Sequence, residues 1–306
     1  MKSKLGTLFR EQVSTGIHLF DSLVKPILLY ASDFWGCLNL PKINPIETLH
    51  IQFCKELLGV QKQTVNIGVL LELGRLPLSI YAKKYAIKNW ERISLKRQAN
   101  TLLLTSYDAS LESGWASSIQ KSFSIIGLEN LYSNEIMHTK APNVQLFLKE
   151  KHTFQETALL TLQNMSKLRT YKTLKQNAFF EEYLTSIQNV SDRISLTKFR
   201  LSNHKLMIEK GRYHNIKPSE RVCPFCPNKV EDEFHFLIKC PTYMIQRQNL
   251  LEQIKTIVIE FFNPNDEQFL FWFLLNNPMI SHMVGRFIRV TMEVREFLLD
   301  SPRNNL

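Results

Sequence analysis

An all-α fold is the architecture that the 306-residue sequence predicts, and three observations lead to it. Apolar residues recur at helical spacing in the first hundred residues and again after Val144. Between Val144 and Arg221 only Gly211 and Pro218 punctuate the chain, which favours long helices over a multi-stranded sheet. The compact exception is a cysteine and histidine cluster between residues 221 and 243, which predicts a small metal-stapled module inside a helical C-terminal region.

In chain order, residues 17–38 set Leu19, Phe20, Leu23, Val24, Ile27 and Leu28 at helical spacing, with Pro26 either kinking the segment or opening a second helix. A buried helical hairpin is expected there. Asn44-Pro45 supplies an N-cap and a proline at the first helical position, and Ile46, Leu49, Phe53 and Leu57 form a stripe that Gly59 ends. Cys37 and Cys54 have no ligand-type neighbours and are expected as buried thiols. Val69–Leu78 reads as a short helix, a glycine cap and a turn, and Pro77 then opens a helix through about Arg97. Residues 101–143 lose periodicity and predict a connecting region with one or two short helices. Helical character returns from Val144 to Gln188, with Phe147, Phe154, Leu159, Leu160, Leu162 and Met165 as core candidates. Leu250 to Val258 marks a further helix that Phe261-Phe262-Asn263-Pro264 ends, and two more follow before the polar tail. The expected division is a helical bundle-like region 1–100, a connector 101–143, and a helical region 144–306 carrying the metal module at 221–243.

Cys223 and Cys226 are separated by two residues, His235 follows after eight more and Cys240 after a further four. C-x2-C followed by H-x4-C supplies two short arms bearing four soft or borderline donors, which is the ligand set of a tetrahedral zinc. Free core cysteines have no reason to cluster with a histidine at this spacing. With all four positions filled by protein there is no open site for water, so Zn2+ is expected as a folding staple. Glu231, Asp232 and Glu233 fit the first turn of the helix presenting His235, as caps and solvated charges.

A net charge of +10 and a pI near 9.3 point to acidic partners, nucleic acid ahead of anionic membrane. Lys84, Lys88 and Arg92 are spaced four apart on one helix and share a face that either lies along phosphates or is plain solvent-facing surface. Between Arg193 and Lys217, the cations Arg193, Lys198, Arg200, Lys205, Lys210, Arg212 and Lys217 oppose Glu209 alone, with Phe199, His204, Tyr213 and His214 interleaved. Cations beside rings suit a nucleic-acid strand. Some of these charges could equally serve the surroundings of the metal. Apolar runs such as Phe269–Leu275 are too short to span a bilayer, and metal-type cysteine spacing predicts a reducing intracellular compartment. No metalloprotease, phosphate-loop, dinucleotide or nucleophile-elbow motif occurs, nor any adjacent pair of aspartates, so no catalytic constellation is expected.

Two separated stretches nevertheless share a pattern. The first is Val24-Lys-Pro-Ile-Leu-Leu-Tyr30 through Phe34-Trp-Gly36, with Leu71-Glu-Leu-Gly-Arg-Leu-Pro-Leu78 and Trp90. The second joins Leu196-Thr-Lys-Phe-Arg-Leu-Ser-Asn-His204, Ile208-Glu-Lys-Gly-Arg-Tyr213, Cys223-Pro-x-Cys226, Val230-Glu-Asp-Glu-x-His-Phe236 and Cys240-Pro-x-Tyr243. Over residues 17–98 and 171–247 the chain resembles the C-terminal part of the reverse transcriptase of LINE-type, non-LTR retrotransposons: the thumb and post-thumb region, then the zinc-binding segment. The resemblance implies a helical region that helps to hold template RNA and target DNA, a nuclear location, the remainder of a reverse transcriptase as partner, and Cys223, Cys226, His235 and Cys240 as ligands. That family's palm, with its Tyr-x-Asp-Asp loop, and its endonuclease are not among these residues, so these residues alone are not expected to polymerise. The alternative expectation is a structural remnant that binds no nucleic acid of its own.

Overall fold

The computed structural model describes residues 11–38, 44–96, 101–112, 114–131, 141–258 and 266–301. The fold is all-α, and among the described residues extended pairing is limited to two isolated bridges, Leu73 with Phe180 and Val222 with Val230. The helices of seven residues or more are α1 (Val13–Leu19), α2 (Pro45–Leu58), α3 (Asn66–Glu72), α4 (Leu78–Lys96), α5 (Thr101–Ala109) and α6 (Trp115–Ile125), followed by α7 (Pro142–Gln163), α8 (Val190–Arg200), α9 (Met207–Tyr213), α10 (Met244–Lys255), α11 (Glu267–Asn276) and α12 (Ser281–Asp300). Arg97, the segment Phe261–Pro264 and the tail after Ser301, all read from sequence, lie outside the described residues.

Two compact units form, and neither is continuous in sequence. One is built from Ile17–Phe53 and Gly74–Thr161; the other takes Cys54–Leu73, the chain from Leu162 onward and the residues up to Gly16. This differs from a sequential division at 100 and 143. The reason is ionic: Glu72 in α3 is a direct partner of Arg200 in α8, which holds residues 54–73 with the C-terminal part.

In the first unit α4 is amphipathic, burying Ala82, Ala86, Ile87 and Trp90 and exposing Tyr85, Lys88 and Arg92. The Trp90 indole N–H donates to the Tyr107 hydroxyl at 3.0 Å, and its ring meets Phe123 edge-on at 5.4 Å. Tyr107 and Phe123 come from α5 and α6, so the stretch read as a connector contributes to the core. Gly36 lets the short helix Ser32–Trp35 close on α4, since a Cβ there would stand 2.1 Å from the Ala82 carbonyl oxygen. Residues 17–38 depart from the expected buried hairpin. The π-helical stretch Phe20–Val24 and Pro26 change the angular spacing, so Phe20 and Leu29 face inward while Leu23, Val24 and Ile27 are exposed. Cys37 is buried, as is Cys54 in the other unit. The Asn44 side chain accepts from the Ile46 amide at 3.0 Å, and Gly59, at φ +67°, ends α2. Leu49 in the expected stripe is exposed.

The second unit is organised by Arg200, which is 1% exposed. Its Nε donates to Glu72 Oε1 at 2.8 Å, Nη2 to Glu181 Oε2 at 2.7 Å, and Nη1 to the Leu275 carbonyl at 2.6 Å. Tyr183 donates to the same Glu72 oxygen at 2.5 Å, and buried Lys175 pairs with Glu181. One guanidinium thus joins α3, α8, the end of α11 and the turns of residues 175–183. Beside it α8 and α12 approach closely, because Gly285 has no side chain: a Cβ there would lie 2.6 Å from the Asp192 carbonyl oxygen. The helical character expected to Gln188 is interrupted: α7 stops at Gln163, shortly before Leu168 takes a left-handed φ of +63°, and only the short helices Tyr171–Leu174 and Tyr183–Ser186 follow before Gln188. Leu146, Ala158 and Leu162 bury, and Leu160 faces solvent.

Burial pushes the Glu72 carboxyl up, but Arg200 and Lys175 outweigh it and hold it below its ordinary value. A carboxylate depressed on folding contributes stability that is complete above its unfolded pKa, about 4.3, and is lost as pH falls through the folded value. Arg200→Met, which leaves Glu72 buried without its strongest partner, is expected to cost about 3–5 kcal/mol. Urea unfolding checks this, and its pH series should show the variant losing less stability than the parent as pH falls below about 4.3, because Glu72 no longer has the partner that depresses its pKa.

Candidate metal centre and basic surface

The metal segment is built from the turn upward. Cys223 N–H donates to the Lys229 carbonyl at 2.7 Å and Glu231 N–H to Arg221 at 2.9 Å, forming a tight hairpin closed by the Val222–Val230 bridge. Asn228, at φ +58°, turns it, and this hairpin carries Cys223 and Cys226. Asp232 caps the second arm by accepting from the His235 amide at 2.7 Å, and the π-helical turn His235–Lys239 ends where Cys240 N–H reaches back to the His235 carbonyl. The two arms bring one donor atom from each of Cys223, Cys226, His235 and Cys240 within 4.8 Å of one another, all four side chains buried.

These residues fit a metal ion. His235 Nε2 is buried without a hydrogen-bond partner, leaving its lone pair for a Lewis acid. The three thiols also perturb one another: hydrogen bonding from Cys223 lowers the Cys240 pKa, while that same bond raises Cys223 and burial raises Cys226. Full ionisation of the set therefore calls for a cation. Three sulfurs and one imidazole form a closed donor set, suited to stapling the fold and without a position for substrate.

Residues that sequence reasoning missed hold this segment in place. Arg247 donates to the carbonyls of Leu237 (2.9 Å) and Cys240 (2.7 Å), fixing the second arm. Arg295 in α12 forks onto Glu231 with two bonds of 2.7 Å, and Glu231 also accepts from the Met207 amide at 2.6 Å. Arg169 bridges Glu209 and Glu233, and Glu233 takes His204 at 2.8 Å. Glu231 and Glu233 are thus buried ionic anchors, a correction to the expected solvated caps; of the three, only Asp232 caps the turn that presents His235. Their partners lie far away in sequence, so no local pattern announces them.

The basic residues divide. Arg193 and Arg200 are corrected from surface to interior: Arg193 donates to the Ile187 carbonyl at 3.0 Å, and Arg200 sits in its carboxylate pair. Phe199 is likewise core, packed on Phe236. Lys198 is half-buried and engaged within the protein. Lys205 is exposed in an ion pair with Glu296, and Arg212 is shared between Glu209 and the Ser166 carbonyl. Lys210, Tyr213, His214 and Lys217 are exposed at the end of α9 and in the turn after it. On α4, the Lys84 ammonium sits over the Phe147 ring at 4.6 Å, and Lys88 and Arg92 face outward.

Among the described residues no helix is long and apolar enough to cross a membrane. No family model matches this chain, and no curated protein and no solved structure matches it. Elemental analysis of the purified chain is expected to find one metal ion per chain, lost in Cys240→Ala. Chelation should lower the melting temperature of the parent and leave that of the variant unmoved. Because the ligands must be deprotonated, metal should also be released as pH falls.

Proposed function

We propose that the chain is a zinc-stapled, nucleic-acid-holding module from the C-terminal region of a non-LTR retrotransposon reverse transcriptase. It holds template RNA or target DNA in the nucleus beside the rest of a polymerase, and has no polymerase activity of its own. The observation that carries the reading is the physical tie between the exposed basic helix and the metal hairpin. Arg221, two residues before Cys223, donates to the carbonyls of Ile208 (2.7 Å) and Ile216 (2.9 and 2.8 Å), at the two ends of the segment bearing Lys210 and Tyr213 and next to Lys217. From the other side, Glu231 receives the Met207 and Ile208 amides. Zinc in the hairpin would thereby order the cations and the ring that meet phosphate and base.

The burial of Arg193 and Arg200 favours a second reading, a zinc-stapled structural module with no nucleic-acid contact. Fluorescence anisotropy with a structured RNA and a DNA duplex across a salt series separates the two. Salt-steep binding that weakens on zinc removal is expected. Lys210→Ala with Lys217→Ala should flatten the log–log salt slope on duplex by about 0.9 per lost phosphate contact. Absence of binding at low salt by a folded, zinc-loaded chain selects the structural module.

A further inference from the structure

The first unit contains a cavity of about 600 Å³ beside α4, which neither the metal centre nor the basic helix α9 uses. That volume suits one small molecule. Its lining is mixed. Leu29 and the half-exposed Tyr85 ring are apolar, and Lys88 and Arg92, one helical turn apart, share with Tyr85 one face of α4. Among the described residues neither cation sits in an ion pair, and Arg92 is oriented by donating to the Asn89 Oδ1 at 2.8 Å. The nearby Glu91 carboxylate is already engaged, its two oxygens taking the backbone and side-chain N–H groups of Asn143 at 2.5 Å each.

Polar groups complete the lining. Ser32 lines it and is 1% exposed, yet its hydroxyl has no hydrogen-bond partner. A buried hydroxyl left unpaired is a place where a ligand atom can bond without displacing a protein contact. Asp33 stands next to it, and the Asn89 side chain reaches the Asp33 carbonyl only through a long bond of 3.4 Å.

We propose that this cavity is a nucleotide site taking one unstacked nucleoside phosphate. Phosphate is received by Lys88 and Arg92, the base lies against Tyr85, and its hydrogen-bonding edge meets Ser32, Asn89 and Asp33. The aromatic face with adjacent cations distinguishes this ligand from inorganic phosphate, and the polar groups distinguish it from a plain hydrophobic guest. The inference deepens the nucleic-acid reading where the nucleotide belongs to a strand, and stands apart from it where the nucleotide is free.

The test titrates the full, zinc-loaded chain with the four nucleoside 5′-monophosphates, inorganic phosphate and a single-stranded pentanucleotide, by calorimetry. Saturable nucleotide binding is expected, with phosphate at least about tenfold weaker. Arg92→Gln and Tyr85→Ala, both at exposed positions, should each weaken nucleotide binding about tenfold with unchanged melting temperature. Ser32→Ala removes only the unpaired hydroxyl and should weaken nucleotides without weakening phosphate. Equal affinity for nucleotide and phosphate, or nucleotide affinity untouched by all three substitutions, overturns the proposal. Pentanucleotide binding that ignores the three substitutions overturns it as well and leaves the proposed function standing. Mononucleotide binding without pentanucleotide binding supports the cavity as a site for a free nucleotide, while the strand reading fails.

Discussion

The Arg200 guanidinium is the constraint on which the C-terminal unit depends. A buried charge is tolerated only where its donors are met, and here Glu72, Glu181, the Leu275 carbonyl and Asn276 meet them. Tyr171 and Tyr183 lie beside this group with pKa values raised by burial, so they remain neutral, and Tyr183 serves Glu72 as a donor. Because its partners come from three separate stretches of chain, satisfying this one cation requires most of the unit to be in place. Such a network contributes specificity of arrangement, since any shift of α3 against α8 leaves an unpaired charge in the interior.

The same logic is repeated beside the metal centre. Arg295 on Glu231, and Arg169 on Glu209 and Glu233, place carboxylate–guanidinium pairs around the hairpin, and Glu231 is at once a partner of α12 and a cap for α9. The hairpin is therefore seated on the helical unit through ionic groups as well as through Phe236, which packs on Phe199, Tyr243 and Phe287. A metal ion held by a hairpin seated in this way would transmit its order to α9.

Much of the candidate site was legible in the residues themselves. Cys223, Cys226, His235 and Cys240 could be named from spacing because short hairpin arms are local structures whose geometry follows from a few intervening residues. Asn44, Pro45 and Gly59 announced the ends of α2 for the same reason. The basic surface was read less well. On α8 Arg193 and Arg200 are buried and Lys198 is half-buried, and composition alone gives no sign that this helix turns its arginines inward. The deciding anions, Glu72 and Glu181, lie elsewhere in the sequence. Lys84, Lys88 and Arg92 share one stripe, yet Lys84 settles on an aromatic ring of α7 that the stripe does not reveal.

By itself the sequence determined the all-α class, the ends of α2, the buried Cys37 and Cys54 thiols and the four positions that could hold a metal ion, since each depends on periodicity, capping or spacing within about twenty residues. Only the tertiary structure decided which cations face water, which carboxylates are buried, how Cys54–Leu73 joins the C-terminal unit, and that Ser32 lines a cavity with its hydroxyl unpaired. Those outcomes are set by contacts between residues distant in sequence, where the cost of leaving a charge or a hydrogen-bonding group unmet selects the arrangement.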